Sequence, residues 1–203
     1  MTKNMLSRMT SCLIIIILLG SILAGCAKGT MLDDVKAYNI AVVLKTMDSE
    51  HWQGIRSGME YAADQHNVKL TLLYPSDESA KEEQEVMIQD ALDTKIDALI
   101  VAPCDSTNTG WFVDKANEKD IKLFTSDTRA LDRDITYIGV DNIKVGKLAA
   151  EYINSNMDQN SKVGIITGAR KQAQTIDRES AFVKELGNFR EINDADITLI
   201  REN

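Results

Sequence analysis

Short apolar segments alternate with amphipathic segments along most of this chain, and this alternation limits the possible folds more than any other feature. The first pair is YNIAVVLKT, residues 38–46, followed by Trp52, Ile55, Met59 and Ala62 at helical spacing. The later apolar segments are VKLTLLYP, IDALIVAP, IKLFTSD, ITYIGV, KVGIITG and DITLI. These runs are continuously apolar, as is typical of strands buried on both faces. We therefore predict an α/β fold in which parallel sheets are flanked by helices.

The amphipathic segments have the spacing of helices with one buried side. In DESAKEEQEVMIQDALDT, the residues on that side are Ile88, Ala91 and Leu92. A third helix is predicted within residues 106–119. A fourth has an apolar stripe formed by Val145, Leu148, Ala149, Tyr152 and Ile153.

Ligands of open parallel sheets bind beyond the carboxyl ends of the strands. The loops that follow the predicted strands are therefore the first places to look for a site. They come after Thr46, Pro103, Asp127, Val140 and Gly168.

The first 25 residues have the three parts of a secretory signal. A basic head with Lys3 and Arg8 precedes CLIIIILLGSILAGC, whose apolar core is shorter than the roughly 20 residues of a membrane-spanning helix. The final LAGC resembles a bacterial lipoprotein box, which implies cleavage before Cys26 and a lipid on its thiol. A plain secretory signal or an uncleaved anchor is the alternative. We expect a signal over residues 1–25, a lipidated Cys26 and a polar linker over residues 26–37.

The charge balance argues against a nucleic-acid-binding protein, and the cysteines argue against a disulfide-stabilised one. A net charge of −8 without a basic stripe argues against nucleic-acid partners, which clustered Lys and Arg would have to neutralise. Cys12 is removed with the signal and Cys26 carries the predicted lipid, so Cys104 stands alone. We therefore expect no internal disulfide framework.

No catalytic or cofactor motif is apparent. The sequence has no GxGxxG after a strand, no Walker loop and no GxSxG elbow, and His51 and His66 lack metal-ligand spacing. Cys104 has no evident base beside it, which favours an inert buried thiol over a nucleophile. An exported α/β enzyme is thus disfavoured, and we expect no catalytic residue, no cofactor and no metal.

Polar side chains at the predicted strand ends each have two interpretations. In KTMDSEHWQG, Ser49 or Asp48 caps the following helix, while Trp52 either presents its ring to a ligand or packs in the core. Asp127 ends its strand and either caps a loop or accepts hydrogen bonds from ligand hydroxyls. Asp141 and Asn142 precede a helix and favour a cap. Arg178 is either a solvated helix charge or a donor to a polar ligand.

Several segments together resemble one known family. They are KTMDSEHWQGIRSGMEYAADQH, EEQEVMIQDALDTKIDALIVAPCDS, IKLFTSD, YIGVDNIKVGKLAAEYI, and KVGIITG with DRESAF. In this order they resemble the type I periplasmic binding proteins, and within them the ribose- and galactose-type sugar receptors of ABC importers. The resemblance implies a two-lobe fold with a first lobe over residues 38–140. The second lobe would start at 141 and remain incomplete at 203, as in a truncated chain.

The resemblance also implies a ligand and its contacts. A sugar would lie in the cleft between the lobes, which close over it. The positions that match ligand contacts are Ser49, His51, Trp52, Asp127 and Arg178, and the hinge positions are Asp141 and Asn142. Trp52 would stack on the sugar ring, while Asp127 and Arg178 would bind its hydroxyls from opposite lobes.

The function implied by the resemblance is a monomeric sugar receptor. It would be lipid-anchored at the extracytoplasmic face of the cell membrane and would deliver its sugar to an ABC permease. A module that feeds a sensor kinase or chemoreceptor and a non-binding remnant remain alternatives, whereas a sugar-responsive repressor would begin with a basic DNA-binding motif. Thr128 replaces the Arg of the ribose-type members, and Glu50 and His51 replace Pro and Phe. The resemblance therefore does not define the sugar.

Overall fold

The computed structural model describes residues 37–158, 161–189 and 197–201, with side chains described up to residue 187. The predicted signal, Cys26 and all of the linker except Ala37 lie outside these residues. Within them the elements are β1 (Tyr38–Val43), α1 (Glu50–Gln65), β2 (Val68–Leu73), α2 (Lys81–Leu92), β3 (Ala98–Val101), α3 (Gly110–Glu118), β4 (Lys122–Ser126), β5 (Thr136–Ile138), α4 (Asn142–Asn156), β6 (Val163–Thr167), α5 (Ala173–Phe189) and β7 (Ile197–Arg201).

The strands form two parallel sheets. The first sheet has the order β2-β1-β3-β4-β5, and the second pairs β6 with β7. Val43 near the end of β1 lies opposite Leu73 of β2 on one side and Val101 of β3 on the other. The seven apolar segments therefore all form strands, and the predicted α/β class with parallel sheets is confirmed.

The core of the first sheet lies on both of its faces because successive β1 side chains point in opposite directions. Ala41 and Val43 pack against the side covered by α2 and α3. Val42 and Leu44 pack on the other side with Trp52 of α1. Burial of each large apolar side chain contributes roughly 1.5–3 kcal/mol. This sheet holds the carboxyl end of β1 rigidly where the candidate loops begin.

The outer strands are not buried on both faces, unlike the continuous apolar pattern predicted for them. β2 lies at the edge of the first sheet and alternates half-buried and exposed residues before its last two positions. In β6, the side chain of Ile166 is 84% exposed. A strand is enclosed only where other elements cover both faces, and sequence hydrophobicity does not report those neighbours.

Helix α4 is formed as predicted, but its apolar stripe is exposed. Val145, Leu148 and Tyr152 face outward, and the buried positions are Asn142, Gly146 and Ala150. The buried side packs on α5, where a Cβ at Gly146 would clash with the carbonyl oxygen of Arg178. A small-residue contact between two helices therefore replaces the predicted burial of the larger residues.

Two further sequence expectations are refined. Helix α3 begins at Gly110, because the preceding Thr109 is held outside the helix by hydrogen bonds to the Asp132 carboxylate. Asp141 is the N-cap of α4 and accepts from the amide of Lys144 at 3.0 Å, as the cap interpretation predicts.

In the part of the chain that the structure describes, no helix is long and apolar enough to cross a membrane.

Candidate functional site

The carboxyl ends of β1 and β4 bring two predicted ligand residues together. His51 Nε2 lies 2.8 Å from Asp127 Oδ1, although the residues are 76 positions apart. The His51 side chain is 60% exposed, and that of Asp127 is 23% exposed. This pair therefore presents an imidazole and a carboxylate to solvent at the edge of the sheet where ligands of such folds bind.

The backbone of Asp127 is itself unusual. Its φ angle is 62°, in the left-handed region that L-residues other than Asn and Asp seldom adopt. Tyr137 lies across from it, with its hydroxyl donating to the Asp127 carbonyl oxygen at 2.9 Å. The second carboxylate oxygen of Asp127 accepts from the Thr128 hydroxyl at 3.1 Å. Such strain is retained mostly at functional sites, where surrounding contacts fix the conformation.

Trp52 does not have the orientation predicted from the resemblance. The residue is only 3% exposed, and its ring packs among Val42, Leu44 and Ala102. Its indole Nε1 donates to Glu78 Oε1 at 2.9 Å. The ring therefore has no open face for a sugar in this structure, and the core interpretation of its spacing describes it better. The neighbouring His51, in edge contact with Trp52 at a centroid distance of 5.1 Å, is the exposed ring.

Ser49 has the capping role that the sequence allowed for it. It is the N-cap of α1, and its hydroxyl accepts from the amide of Trp52 at 3.5 Å. Ser49 and Asp48 also line a cavity next to the strand ends. The same residue thus starts the helix and contributes a polar group to the cavity wall.

A polar cavity of about 900 Å³ extends from these loops to the second sheet. Its wall comes from the loops after β1, β2 and β3 and from Gly168–Gln172, the loop after β6. Its size lies within the range of about 300–1,000 Å³ that is usual for small-molecule sites. Because loops of both sheets form the wall, a relative movement of the two sheets would change the shape of this cavity.

Buried Gln84 of α2 ties the strand ends that support this cavity. Its amide nitrogen donates to the carbonyl oxygens of Leu44 and Ala102, and its side-chain oxygen accepts from the amide of Cys104. All three distances are 2.8–2.9 Å. Sequence reasoning missed Gln84, which appears there as one polar residue of a charged helix.

The Cys104 thiol lies in the cavity wall but is not activated. Burial raises its pKa to about 11, against the smaller opposite effect of the Lys45 charge. A thiol with this pKa is protonated at neutral pH and is a poor nucleophile. The predicted inert, buried thiol agrees with this environment.

Asp105 forms ion pairs with a lysine of α2 and with a lysine of the loop after β6. Its Oδ2 lies 3.5 Å from the ammonium groups of Lys81 and Lys171. Burial acts to raise its pKa, but hydrogen bonds from Thr107 and the two lysine charges outweigh burial and hold the pKa below the usual value. Asp105 is therefore ionised at neutral pH and pairs with a lysine of each cavity wall.

Arg178 is connected to the pair at β4 through a chain of hydrogen bonds. Its Nε donates to Asn142 Oδ1 at 2.7 Å, and Asn142 Nδ2 lies 3.5 Å from the Tyr137 hydroxyl. Tyr137 in turn reaches the Asp127 backbone. Four of the predicted site and hinge residues, His51, Asp127, Asn142 and Arg178, thus belong to one network. Tyr137 is the member that sequence reasoning missed.

A second connection between the sheets was also missed. Arg129, two residues after Asp127, donates from Nε and Nη2 to both carboxylate oxygens of Asp177 on α5, at 2.9 and 2.8 Å. Nearby, the Ser106 amide donates to the Lys171 carbonyl oxygen, and the Ser106 hydroxyl accepts from the Ala173 amide. These bonds join the loops after β3 and β4 to the loop after β6 and to α5.

Metal binding has no geometric support in the described residues. No group of three or more His, Cys, Asp or Glu side chains in residues 37–158 and 161–187 has an arrangement that would hold an ion.

Comparison with known proteins assigns this fold to a family. Residues 40–203 match the periplasmic binding protein domain, which covers more than half of the chain. The chain belongs to the periplasmic binding protein family. It is a type I member of the ribose- and galactose-type group, which confirms the resemblance identified in the sequence.

Two curated relatives illustrate the similarity within this family. The ribose import binding protein of Bacillus subtilis is 26% identical over 157 residues, which cover 77% of this chain and 51% of that protein. The ribose import binding protein of Escherichia coli is 28% identical over 144 residues, which cover 70% and 48%. The chain therefore spans about half the length of the curated relatives it matches.

Solved periplasmic binding proteins share the fold. A solute binding protein from Actinobacillus succinogenes with bound D-allose has a TM-score of 0.69 and 24% identity, covering 82% of this chain and 58% of that chain. The myo-inositol binding protein of Caulobacter has a TM-score of 0.74 and 18% identity, covering 82% and 56%. Both agree with the predicted α/β class with parallel sheets flanked by helices, and this chain spans only part of the length of each.

Proposed function

We propose that this periplasmic binding protein is an extracytoplasmic sugar receptor that serves an ABC importer. The observation that carries the proposal is the carboxyl edge of the first sheet, where the exposed His51–Asp127 pair lies and a polar cavity, lined in part by Ser49, faces the loop after β6. The names of the relatives, which include ribose import binding proteins and a D-ribose/D-allose-binding protein, support a sugar as the ligand class. The lipid on Cys26 and the delivery to a permease are parts of the same proposal.

In this proposal, Asp127 and His51 form the first-lobe contact. A carboxylate accepts hydrogen bonds from adjacent sugar hydroxyls, and the exposed imidazole beside it covers the sugar or donates to it. Trp52 packs against the His51 imidazole from the core side, and its own ring contacts a sugar only if it turns outward. Ser49 contributes its hydroxyl from the cavity wall.

Arg178 is the proposed contact from the second lobe. Its guanidinium already bonds Asn142 at the start of α4, and it retains further N–H donors for a ligand oxygen. The neighbouring Asp141 and Asn142 are the proposed hinge, because they begin the first element that packs on the second sheet. A movement there would change the distance between Arg178 and the pair at Asp127.

A thermal unfolding series tests this function. We expect ribose, allose or another neutral sugar to raise the unfolding midpoint of the chain selectively, because a ligand that binds only the folded state stabilises it by mass action. Asp127→Asn removes one acceptor oxygen at a φ that Asn tolerates, so the fold should persist while the sugar-induced shift is lost. The matched control is Asp134→Asn on an exposed loop.

Two results would contradict the proposal. The first is a panel of pentoses, hexoses and polyols without any shift in the unfolding midpoint, and the second is an equal shift in the Asp127→Asn and Asp134→Asn variants.

The proposed lipid anchor is tested separately by fractionation of bacterial cells. Cys26→Ala should release the chain from the membrane fraction if the thiol carries lipid.

A further inference from the structure

The Tyr137 hydroxyl has more hydrogen-bond acceptors within reach than it has protons. Its oxygen lies 2.9 Å from the Asp127 carbonyl oxygen and 3.1 Å from the Val140 carbonyl oxygen. A phenolic hydroxyl has one proton, so it donates fully to only one of these oxygens at a time. Burial, followed by the negative charge of Asp127, raises the pKa of Tyr137, so the hydroxyl keeps its proton at neutral pH. The two hydrogen bonds therefore compete for one proton.

The two acceptors belong to different parts of the molecule. Asp127 lies at the candidate site, and the bond to its carbonyl oxygen holds a backbone with a φ of 62°. Val140 lies between β5 and α4, directly before the proposed hinge. Val140 is exposed, so water is able to bind its carbonyl oxygen while Tyr137 donates to Asp127. The support of the Asp127 backbone therefore depends on where the segment between β5 and α4 lies.

The position of the Tyr137 ring depends on a glycine. Gly139 lies against the ring, where a Cβ would overlap the hydroxyl oxygen and lie 2.5 Å from Cζ. The φ of Gly139 is not positive, so the close approach of the ring, not the backbone conformation, requires a glycine here. A cavity of about 310 Å³ adjoins the ring, Val140 and Asn142. The segment after β5 therefore has space in which to move relative to the hydroxyl.

Asn142 extends this contact to the second sheet. Its Nδ2 donates to the Tyr137 hydroxyl at 3.5 Å, and its Oδ1 accepts from Arg178 Nε at 2.7 Å. Asn142 is buried and is the first residue of α4, whose buried side packs on α5. A hydroxyl that accepts a hydrogen bond becomes a better donor, because bonds in a chain polarise one another. The start of α4 therefore acts on the bond from Tyr137 to Asp127.

We infer that Tyr137 is a positioning residue that couples the backbone of Asp127 to the start of α4 through one hydroxyl proton shared by two carbonyl oxygens. A movement of α4 relative to the first sheet would displace Asn142 and Val140, and the support of Asp127 would change with them. Such coupling is reciprocal, so a ligand that fixes Asp127 would favour one position of α4. The consequence for a ligand rests on the proposed function, whereas the coupling itself is a property of the folded chain.

Hydrogen exchange at the Asp127 amide, measured without ligand, tests the coupling. This amide donates to the Ile138 carbonyl oxygen and reports on the Asp127 backbone. Arg178→Met removes the bond that fixes Asn142, and Tyr137→Phe removes the hydroxyl. We expect each variant to speed exchange at Asp127 roughly 2- to 10-fold, as for the loss of one hydrogen bond. The double variant should exchange no faster than Tyr137→Phe alone, because the effect of Arg178 passes through the hydroxyl.

Two further variants and one reference strand make the result specific. Tyr61→Phe changes an exposed tyrosine of α1 and is the matched control, which should leave exchange at Asp127 unchanged. Gly139→Ala should reproduce the effect of Tyr137→Phe, because its Cβ displaces the ring. Exchange in β1 reports on the stability of the whole first sheet. Equal acceleration at Asp127 and in β1 would mean that Tyr137 only stabilises the fold, and would overturn the inference.

The remaining outcomes separate the inference from the proposed function. Unchanged exchange at Asp127 in Arg178→Met, or a double variant that shows the product of the two single effects, overturns the coupling. With a sugar that stabilises the unaltered chain, Tyr137→Phe should bind roughly 2- to 10-fold more weakly, and unchanged affinity overturns the consequence for the ligand. If no sugar stabilises the unaltered chain, the proposed function fails, and the exchange result alone decides whether the coupling is correct.

Discussion

At the scale of single residues, Asp127 combines a side chain at the candidate site with a backbone in the left-handed region. Two hydrogen bonds hold this conformation: the Tyr137 hydroxyl donates to the Asp127 carbonyl oxygen, and the Asp127 amide donates to the Ile138 carbonyl oxygen. Gly adopts a positive φ without steric cost, whereas Ala does not. The backbone and the side chain of Asp127 therefore make separable contributions to stability.

We predict that Asp127→Ala is less stable than Asp127→Gly by roughly 1 kcal/mol, because both variants lose the carboxylate and only Ala is strained at φ 62°. Urea denaturation of the two variants gives this difference. The same pair at Asp114 inside α3 is the control and should show the opposite order, since Ala favours a helix over Gly. An Ala variant as stable as the Gly variant at position 127 would contradict the strain.

The sequence placed Asp127 correctly at the end of its strand, because the end of an apolar run is a local signal. Its role as a ligand contact comes from the resemblance and stays a prediction. His51 and Trp52 are adjacent, and helical spacing does not say which ring faces solvent. Tyr137 bonds the backbone of a residue ten positions away, and Asp177 pairs with a residue 48 positions away, so no helical or strand periodicity contains these bonds.

At the scale of elements, α2 is the support for the carboxyl ends of β1 and β3. Gln84 satisfies two carbonyl oxygens and one amide that no strand partner reaches at these ends. Buried polar groups without partners cost about 1–3 kcal/mol each. The geometry of the cavity wall around Cys104 therefore depends on a single helix side chain.

We predict that Gln84→Met lowers the free energy of unfolding by about 2–4 kcal/mol, because three buried polar groups lose their partner. Gln89→Met, on the same helix, removes only a surface bond to Asp93 and should stay within about 0.5 kcal/mol. Chemical denaturation measures both values. Equal losses in the two variants would show that the Gln84 bonds do not stabilise the strand ends.

The element order and type follow from the sequence because apolar runs and helical spacing are local signals. The seven strands and the helices α1, α2 and α4 were predicted in this way. The exposure of Ile166 and of the α4 stripe was not predicted, since it depends on which elements cover a face. Periodicity identifies a side that is able to be buried and does not identify what buries it.

At the scale of the whole molecule, a few polar contacts join the two sheets. Arg129 forms a bidentate ion pair with Asp177, with one hydrogen bond to each carboxylate oxygen. The Ser106 contacts to Lys171 and Ala173 lie beside this pair. An Arg–carboxylate pair with two parallel bonds fixes orientation as well as distance. Loss of this pair should release the loop after β6 from the first sheet.

We predict that Arg129→Met speeds hydrogen exchange at the amides of Ser106 and Ala173, because opening of the sheets exposes both. Exchange in β1 and β3 should not change, since their core lies within the first sheet. Arg133→Met, which removes a surface pair with Asp114, is the control. Unchanged exchange at Ser106 and Ala173 would mean that Arg129 does not hold the sheets together.

The contiguity of the first sheet in sequence has a consequence for biosynthesis. Its five strands lie between Tyr38 and Ile138, and every partner of β1 is translated before β6. Domains fold as units in the order in which they leave the ribosome. The described strands of the first sheet are therefore all synthesised before the second sheet is complete, and the loop after β6 docks onto a surface that already exists.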